Sequence, residues 1–362
     1  MNLHELIAPY LGLQDGEKSD VDSIENTVNG VTTFRLQIPS RTSEYSVSLV
    51  KEQGKEALTS HETASVAAFY NAKYFYEIIK YERLPFAVGK FEKALKIEDQ
   101  DSVYTLFITT RSLGRPSSKT LTIEQLYAVA EQLSVLHAFY LTNLEPETKQ
   151  IIDGNFQKVQ QCRLQRFKTD YQNFVDSLDT KFSHYFKDVS AIKSKLETLY
   201  KDDSDITYVS SLPSLMQQPT VLCHGELASD KIVFNNNDVV EIRDWDNLSF
   251  GVVGEDLSYL IITSASTDVR RNHYMSIFRR YYYKLVDQAV SKFRLFDLKE
   301  QFKRMHKYVV LTNISNLMSN LKSSNGEENS EFVLRWETAL DDAVAIETGD
   351  YLSDNEDAFF AN

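Results

Sequence analysis

The segment VLCHGELASDKIVFNNNDVVEIRDWD, residues 221–246, decides the fold because it carries a strong β-hairpin signal between polar residues. The apolar run 232–234 and the β-branched run 239–242 each favour a short strand. Between them, the sequence Asn-Asn-Asn-Asp at 235–238 is typical of a tight turn. We therefore predict a hairpin whose outer ends present polar side chains. These side chains are His224, Glu226, Lys231 and Asp244.

The acids at the ends of this hairpin suggest metal and phosphate chemistry. Glu226 precedes the hairpin and Asp244 follows it, so the hairpin holds two acidic groups close together. Hard cations such as Mg²⁺ prefer oxygen ligands, and bound metal neutralises the charge of a transferring phosphoryl group. The motifs H-G-E-L and Asp-Trp are weak signals singly, but their combination at this spacing is more specific.

The combination resembles the catalytic segment of the kinase-like small-molecule phosphotransferases. These include aminoglycoside phosphotransferases, choline kinases and the choline-kinase-like proteins related to ecdysteroid kinases. Their pattern H-G-D-L-x-x-x-x-N, then a hairpin and I-D-W, corresponds here to residues 224–231 and 242–245. Residues 133–138 (LSVLHA) resemble the family's L-A-x-L-H-A helix, and residues 251–257 resemble its G-x-x-x-x-D-L motif. The resemblance covers about residues 25–285, most of the chain.

The resemblance implies an α+β, two-lobed protein-kinase-like fold. Residues 1–113 would form a small β-rich N-lobe that covers the nucleotide. Residues 114–326 would form a larger, mainly helical C-lobe that contains the catalytic loop and the metal hairpin. Residues 327–362 would form an acidic C-terminal helix and tail.

The resemblance also assigns roles at the core motif, with two departures from the family pattern. Asp244 stands at a metal-ligand position that the family keeps. Glu226 replaces the catalytic Asp, and His224 accompanies it as a catalytic-loop residue whose place after an apolar run suggests burial and loop support. Lys231 replaces the metal-binding Asn. A charged ammonium there cannot ligate a metal, so it would either contact phosphate directly or pair with Glu226 or Asp244 and block the metal site.

Further residues are assigned to the nucleotide by the resemblance. Lys51, at the end of a predicted strand, fits the family lysine that bridges the α- and β-phosphates. Asn29-Gly30 would form a hairpin turn near the phosphates, and Glu62 is the candidate helix acid that pairs with the lysine. Residues 109–113 would be the hinge whose backbone meets the adenine. The implied cofactors are therefore ATP and Mg²⁺.

Three hypotheses follow from the motif. The first is ATP-dependent phosphoryl transfer to a small-molecule hydroxyl, because Glu226 keeps a carboxylate and Asp244 is retained. The extra methylene of Glu226 moves its carboxylate by roughly 1 Å, a displacement that can lower a rate on the order of 10²-fold. The second is a catalytically inactive pseudokinase that acts as a binding or scaffold module, because positions 226 and 231 both depart from the pattern. The third is an unrelated α+β protein whose motif match arose by chance.

Hydrophobic periodicity predicts the remaining elements. Strands are predicted at 32–38, 45–50, 86–91 and 104–109, and helices at 55–81, 121–141, 156–178, 189–200, 257–263 and 328–347. In the helix 121–141, His137 lies on the apolar face and is expected to be a buried structural residue. Asp256 is expected to be the N-cap of the helix 257–263, with its carboxylate also holding catalytic-loop amides.

Charge limits the partners that the chain can have. The 362 residues carry a formal net charge of −13, and the segment after residue 326 holds eleven acidic residues and one basic residue. Since there is no basic stripe, we expect no nucleic-acid partner. The predicted partners are a nucleotide and a small-molecule acceptor, with a protein partner under the pseudokinase hypothesis.

Cysteine usage and the N-terminal sequence indicate the compartment. Two cysteines, Cys162 and Cys223, fit a reducing environment rather than a disulfide framework. The first residues lack the basic region and apolar core of a signal peptide, and no run reaches the ~18–20 apolar residues of a membrane span. We therefore expect a cytoplasmic protein.

Overall fold

The computed structural model describes residues 10, 20–28, 31–37, 44–52, 60–82, 84–99, 102–112, 114, 116, 120–290, 293–323 and 326–350. By their contacts, the residues group into two compact units. The first unit contains residues up to 116 together with 150–162 and 231–248, and the second contains 117–149, 163–230 and 249 onward. The domain limits proposed from sequence stay a prediction.

The strands and helices that the structure describes have the following bounds. The strands are β1 (Asp20–Val28), β2 (Val31–Gln37), β3 (Glu44–Glu52), β4 (Phe91–Asp99), β5 (Ser102–Arg111), β6 (Thr220–Cys223), β7 (Ile232–Asn235), β8 (Asp238–Ile242) and β9 (Ser249–Val252). The α-helices are α1 (Ser60–Glu82), α2 (Ile123–Asn143), α3 (Pro146–Leu178), α4 (Val189–Leu199), α5 (Ser204–Thr207), α6 (Leu212–Leu215), α7 (Glu255–Ser264), α8 (Tyr274–Val286), α9 (Leu295–Thr312), α10 (Ile314–Ser323) and α11 (Gly326–Thr348).

A five-stranded antiparallel sheet forms the centre of the first unit, in the order β1-β2-β3-β5-β4. Alternation of apolar and polar residues places every second side chain of β2 and β3 on one face, where the apolar ones pack together. The buried core of this sheet includes Phe34, Leu36, Val47, Leu49, Leu106 and Ile108. Helix α1 lies between β3 and β4 in the chain, as predicted from its periodicity.

One strand prediction was wrong. Residues 86–90 make no strand beyond an isolated bridge between Val88 and Ile242, and the strand begins only at Phe91. The sequence of β4 alternates apolar residues such as Leu95 and Ile97 with charged ones. It therefore contains no long apolar run that would predict a strand. Antiparallel pairing with β5 along its whole length stabilises β4.

The predicted hairpin is confirmed and belongs to the first unit. Strands β7 and β8 pair antiparallel around Asn236, which has a positive φ of 56° that suits Asn in a tight turn. The Ile242 N–H donates to the Ala87 carbonyl at 2.7 Å. This bond fixes the end of β8, and therefore the residues that follow it, against the segment that precedes β4.

Trp245 anchors the chain directly after the hairpin. Its indole ring stacks on Phe75 of α1, with ring centroids 3.9 Å apart and an angle of 12° between the planes. Phe86 packs against the same indole edge to face. The indole N–H donates to the Ile242 carbonyl at 3.0 Å, so this fully buried residue has its polar atom satisfied. The stack therefore fixes the position of the preceding residue, Asp244.

The second unit is mainly helical. Helix α2 begins with a capping box, in which the Thr122 hydroxyl accepts the Gln125 N–H and the Gln125 side chain accepts the Thr122 N–H. The apolar face predicted for α2 is buried, and α2 packs against α8. Strands β6 and β9 form a two-stranded antiparallel sheet. In the part of the chain that the structure describes, no helix is long and apolar enough to cross a membrane.

The predicted fold class is confirmed. An antiparallel sheet with one helix in its connection makes up most of the N-terminal part, and a larger, mainly helical part follows it. This is the element order of a protein-kinase-like fold.

Helix α3 is longer than predicted because Gly154, inside it, does not end the helix.

The Phe75–Trp245 stack generates a stability prediction. We expect Phe75→Ala to lower the free energy of unfolding by about 3–5 kcal/mol, because it removes a fully buried ring and leaves a cavity beside the indole. Urea unfolding followed by tryptophan fluorescence measures this change. The matched control is Phe296→Ala, since Phe296 is 55% exposed. Equal effects of the two substitutions would contradict the anchoring role of the stack.

Candidate active site

The loop after β6 is held by the carboxylate of Asp256 in the second unit. Asp256 Oδ2 accepts the His224 N–H at 2.7 Å, and its Oδ1 accepts the Gly225 N–H at 3.0 Å. Gly225 has a φ of 88°, a backbone conformation that side chains disfavour. The glycine of the H-G-E-L motif is therefore required by the turn that places both amides on one carboxylate.

Asp256 performs this role from a different helix position than predicted. Helix α7 begins at Glu255 with Gly254 as its N-cap, so Asp256 lies in the first turn. Burial alone would raise the pKa of the Asp256 carboxyl, but His137, the His224 ring and the amide hydrogen bonds lower it below its usual value. His137 Nε2 lies 3.7 Å from Asp256 Oδ2, and its Nδ1 is 2.6 Å from the Tyr281 hydroxyl. His137 is buried, as predicted.

Glu226, the acid of the H-G-E-L motif, forms an ion pair with Arg163 of helix α3. The Glu226 N–H also donates to His224 Nδ1 at 3.4 Å. His224 is fully buried, whereas the Glu226 and Arg163 side chains are partly exposed. His224 therefore braces the loop from within, and Glu226 presents its carboxylate at the surface of this unit beside a guanidinium group.

A second carboxyl group, that of Glu255, lies close to the same arginine. Burial raises the pKa of Glu255 to about 8, and the neighbouring charge of Asp256 adds to this, while the charge of Arg163 opposes it. Gly251 makes room for the buried group, because a Cβ at that position would lie 2.0 Å from Glu255 Oε2. Glu255 is thus a neutral carboxylic acid at pH 7, able to donate a hydrogen bond.

The acid after the hairpin lies in the first unit, between two basic side chains. Lys231 Nζ is 3.1 Å from Asp244 Oδ2, and Arg111 Nη2 is 3.2 Å from Asp244 Oδ1. Asp244 itself has a left-handed backbone with φ 60° and ψ 59°, held in place by the buried Trp245 that follows. We refer to Arg111, Lys231 and Asp244 as the hairpin cluster.

The hairpin cluster does not fit a divalent metal as it is arranged. Mg²⁺ demands close oxygen ligands at about 2.0–2.1 Å and octahedral geometry. Each oxygen of Asp244 instead contacts a cationic group, and residue 231 offers an ammonium with no acceptor in place of an amide oxygen. One carboxylate with two cations on it gives a net positive cluster, which repels a dication and attracts an anion.

The predicted hinge is tied to β8 by a buried ion pair within the first unit. Glu241 Oε2 accepts the Ser112 N–H at 2.8 Å, the Ser112 hydroxyl at 2.6 Å and the Arg243 Nε–H at 3.0 Å. Arg243 Nη2 donates in return to the Ser112 carbonyl at 2.8 Å. Both backbone groups of Ser112 therefore have partners inside the protein, and these bonds tie the predicted hinge to β8.

The remaining residues assigned from sequence lie in or beside the N-terminal sheet. Lys51 is exposed near the end of β3, where its Cα pairs with that of Tyr104 in β5. Glu62 lies on the first turn of α1, and its side chain is outside the described residues. Gly30 is also outside them. Among the residues predicted from sequence, the structure joins Lys231 to Asp244 and His224 to Glu226.

Sequence reasoning missed the arginines. Arg111 follows the apolar run of β5 by one residue, and Arg163 is one of several basic residues in a charge-mixed helix. No spacing rule links either one to an acid more than sixty residues away. The buried Glu241–Arg243 pair did leave a signal, because charged residues stand on both sides of Ile242 at the apolar end of β8.

Comparison with known proteins identifies the region that carries these residues. Residues 115–293 match the model of the Ecdysteroid kinase-like family. Over these residues, the chain belongs to the ecdysteroid kinase-like family. The matched region contains Glu226, Asp244 and Asp256, and it confirms the family resemblance seen in the sequence. No curated protein sequence matches it.

Solved structures of kinases and phosphotransferases resemble this ecdysteroid kinase-like chain at low identity. A choline kinase from Cryptosporidium parvum Iowa II is 11% identical, with 99% of each chain covered and a TM-score of 0.49. The ADP-bound aminoglycoside phosphotransferase APH(2'')-Ib is 12% identical, with 95% of this chain and 98% of that chain covered and a TM-score of 0.45. The amicoumacin kinase hAmiN, in complex with AMP-PNP, Ca²⁺ and Ami, is 12% identical, with 94% and 93% covered and a TM-score of 0.45.

The buried Glu255 generates a pH prediction. Its raised pKa means that the folded chain keeps a proton between about pH 4.5 and 8 that the unfolded chain has lost, so this group lowers stability as pH rises through that window. Glu255→Gln removes the effect. The free energy of unfolding of the variant minus that of the wild type should therefore rise between pH 5 and 8, by up to roughly 4 kcal/mol. Above pH 8 this difference should stay constant.

Urea unfolding of both proteins between pH 5 and 9 measures this difference, in which the other titrating groups cancel. Glu124→Gln, at an exposed position in the first turn of α2, is the matched control. A difference between the Glu255 variant and the wild type that does not change with pH would show that Glu255 is ionised throughout.

Proposed function

We propose that the chain catalyses ATP-dependent phosphoryl transfer to the hydroxyl group of a small molecule, with Glu226 as the carboxylate that meets the acceptor. The observation that carries this proposal is the loop architecture. A carboxylate is kept at position 226, on a loop whose preceding amides are both bonded to the buried Asp256. Membership of a phosphotransferase family over residues 115–293 supports the same reading.

The loop supplies the positioning that this reaction needs. Phosphoryl transfer depends on orientation and charge stabilisation more than on covalent help from the protein. Glu226 would accept a hydrogen bond from the acceptor hydroxyl and then its proton. Its ion pair with Arg163 is compatible with this role, because a carboxylate accepts several hydrogen bonds at once. Arg163 would keep the Glu226 side chain in one orientation between turnovers.

The nucleotide would be held by residues assigned from the resemblance. Lys51 would contact its α- and β-phosphates, Gly30 would lie in the turn beside them, and Glu62 would orient the lysine. Mg²⁺ is the metal that the resemblance implies, but the hairpin cluster does not fit it as arranged. We therefore assign no step to a metal, and the positive charge near the phosphates comes from side chains of the chain itself.

Substitution of Glu226 tests the proposal. The reaction is followed as ADP release from ATP across a panel of hydroxylated small molecules. Glu226→Gln removes the proton acceptor and should lower turnover about 10²–10⁴-fold. Glu226→Asp restores the family residue and should keep or raise turnover, since the carboxylate returns to the family position. Glu124→Gln serves as the control. Turnover that is unchanged in Glu226→Gln would remove Glu226 from the mechanism.

The ion pairs favour a second candidate function, a pseudokinase that binds ligands without transfer. Among the described residues, both acids of the core motif are paired with basic side chains, Glu226 with Arg163 and Asp244 with Arg111 and Lys231. Such pairs stabilise a binding fold with no substrate present. The pseudokinase requires that nucleotide or partner binding persists while no acceptor in the panel is phosphorylated, and that Glu226→Gln leaves this binding unchanged.

A further inference from the structure

We propose that the hairpin cluster binds the phosphates of the nucleotide through Arg111 and Lys231, without a divalent cation. The inference rests on the proposed function only for the identity of the ligand, a nucleoside triphosphate. The chain would in this way carry, as fixed side chains, the positive charge that a kinase of this family takes from metal.

The charge of the cluster favours an anion. Arg111 and Lys231 contribute two positive charges, and Asp244 contributes one negative charge that both of them share. These three side chains together carry one positive charge, at a place where the family pattern has an acid and an amide. Phosphate oxygens form strong charge-assisted hydrogen bonds with guanidinium and ammonium groups. A phosphate can therefore bind to the outer side of the two cations while Asp244 keeps them in position.

Exposure shows that an anion can reach the cluster. In the first unit, the Lys231 and Asp244 side chains are 30% and 38% exposed, whereas the Arg111 side chain is 12% exposed. Arg111 is thus the fixed inner cation, and Lys231 is the outer one. A largely buried cation beside a carboxylate gains from a second anion, because burial weakens the competing hydration.

The elements beneath the cluster keep it rigid. Arg111 is the last residue of β5, and the backbone carbonyl of Lys231 accepts the Arg243 N–H at 2.9 Å. Asp244 is fixed between this pairing and the buried Trp245 stack. Arg111 thus ends a strand and Lys231 directly precedes β7, so the backbone of both cations is held in place, which lowers the ordering cost of binding a phosphate.

Residue 231 decides between the metal-free and the metal-bound site. An amide at this position would offer an oxygen to a metal and would leave Asp244 with less positive charge beside it. The ammonium offers only donors, and it occupies one Asp244 oxygen. Replacement of Lys231 by Asn should therefore convert a cation-independent phosphate site into one that needs a divalent metal.

Titration calorimetry of the full chain tests the inference. ATP and, separately, tripolyphosphate are titrated in EDTA and in Mg²⁺. We expect the wild type to bind both probes in EDTA, with Mg²⁺ changing the ATP affinity by less than about threefold. Lys231→Asn should lose about tenfold or more of the affinity in EDTA and recover it with Mg²⁺.

A second variant distinguishes a metal-free site from a metal-bound one, because the two sites predict opposite changes in ATP affinity. Asp244→Asn removes the negative charge of the cluster, so under the metal-free site ATP should bind about fivefold more tightly in EDTA. If Asp244 holds a metal, the same variant should lose Mg²⁺-dependent binding. The matched control is Lys90→Asn, a lysine in the same unit that is 75% exposed and pairs with Glu92. Circular dichroism confirms that each variant is folded.

The outcomes separate this inference from the proposed function. ATP binding that requires Mg²⁺ and disappears in Asp244→Asn would overturn the metal-free site and leave phosphoryl transfer standing. Metal-free binding with no transfer to any acceptor would support the site and overturn the transfer reaction. Absence of ATP and tripolyphosphate binding under all conditions would overturn both.

Discussion

The buried carboxylate of Asp256 is the constraint on which the candidate site depends. It has no exposure, and it accepts the amides of His224 and Gly225 directly before Glu226. A buried charge of this kind requires hydrogen bonds, which the two loop amides supply, and His137 Nε2 lies 3.7 Å from the same carboxylate. The same hydrogen bonds that stabilise the ionised acid also fix the loop. Loss of the carboxylate would release the backbone that places Glu226.

Two adjacent acids in helix α7 show how the fold distributes charge. Asp256 has a lowered pKa and Glu255 a raised one, although both are buried. The amides and histidines face Asp256, so the ionised form is favoured there, and its charge then helps to keep Glu255 neutral. The one negative charge of this pair of acids therefore lies on Asp256, which accepts the loop amides. The neutral Glu255 beside Arg163 leaves that arginine to pair with Glu226.

The elements that follow a simple pattern were predictable, and the long-range partners were not. The hairpin, the α2 face and the role of Asp256 toward the loop amides follow from turn residues, periodicity and a motif, which are local signals. Strand β4 was missed because its charges interrupt the apolar run. Arg111 and Arg163 meet their acids across large chain separations, and only the folded chain brings them together. The departure at Lys231 was visible in sequence, and of the predicted pairings with a neighbouring acid, the structure shows the one with Asp244.

The pairing of Lys231 with Asp244 removes one metal ligand, and it also changes the source of positive charge at the hairpin. A metal ion is a mobile charge whose binding depends on its concentration, and it can stabilise charge on a leaving oxygen as a Lewis acid. An ammonium is present at any metal concentration, but it carries a single charge and cannot act as a Lewis acid. Where such a group contacts the phosphates equally in the bound and the transition state, it strengthens binding more than it accelerates transfer. Under the proposed metal-free site, the hairpin cluster would therefore hold phosphates better than it would support fast turnover, and the departure at position 231 would be compatible with both a slow enzyme and a ligand-binding pseudokinase.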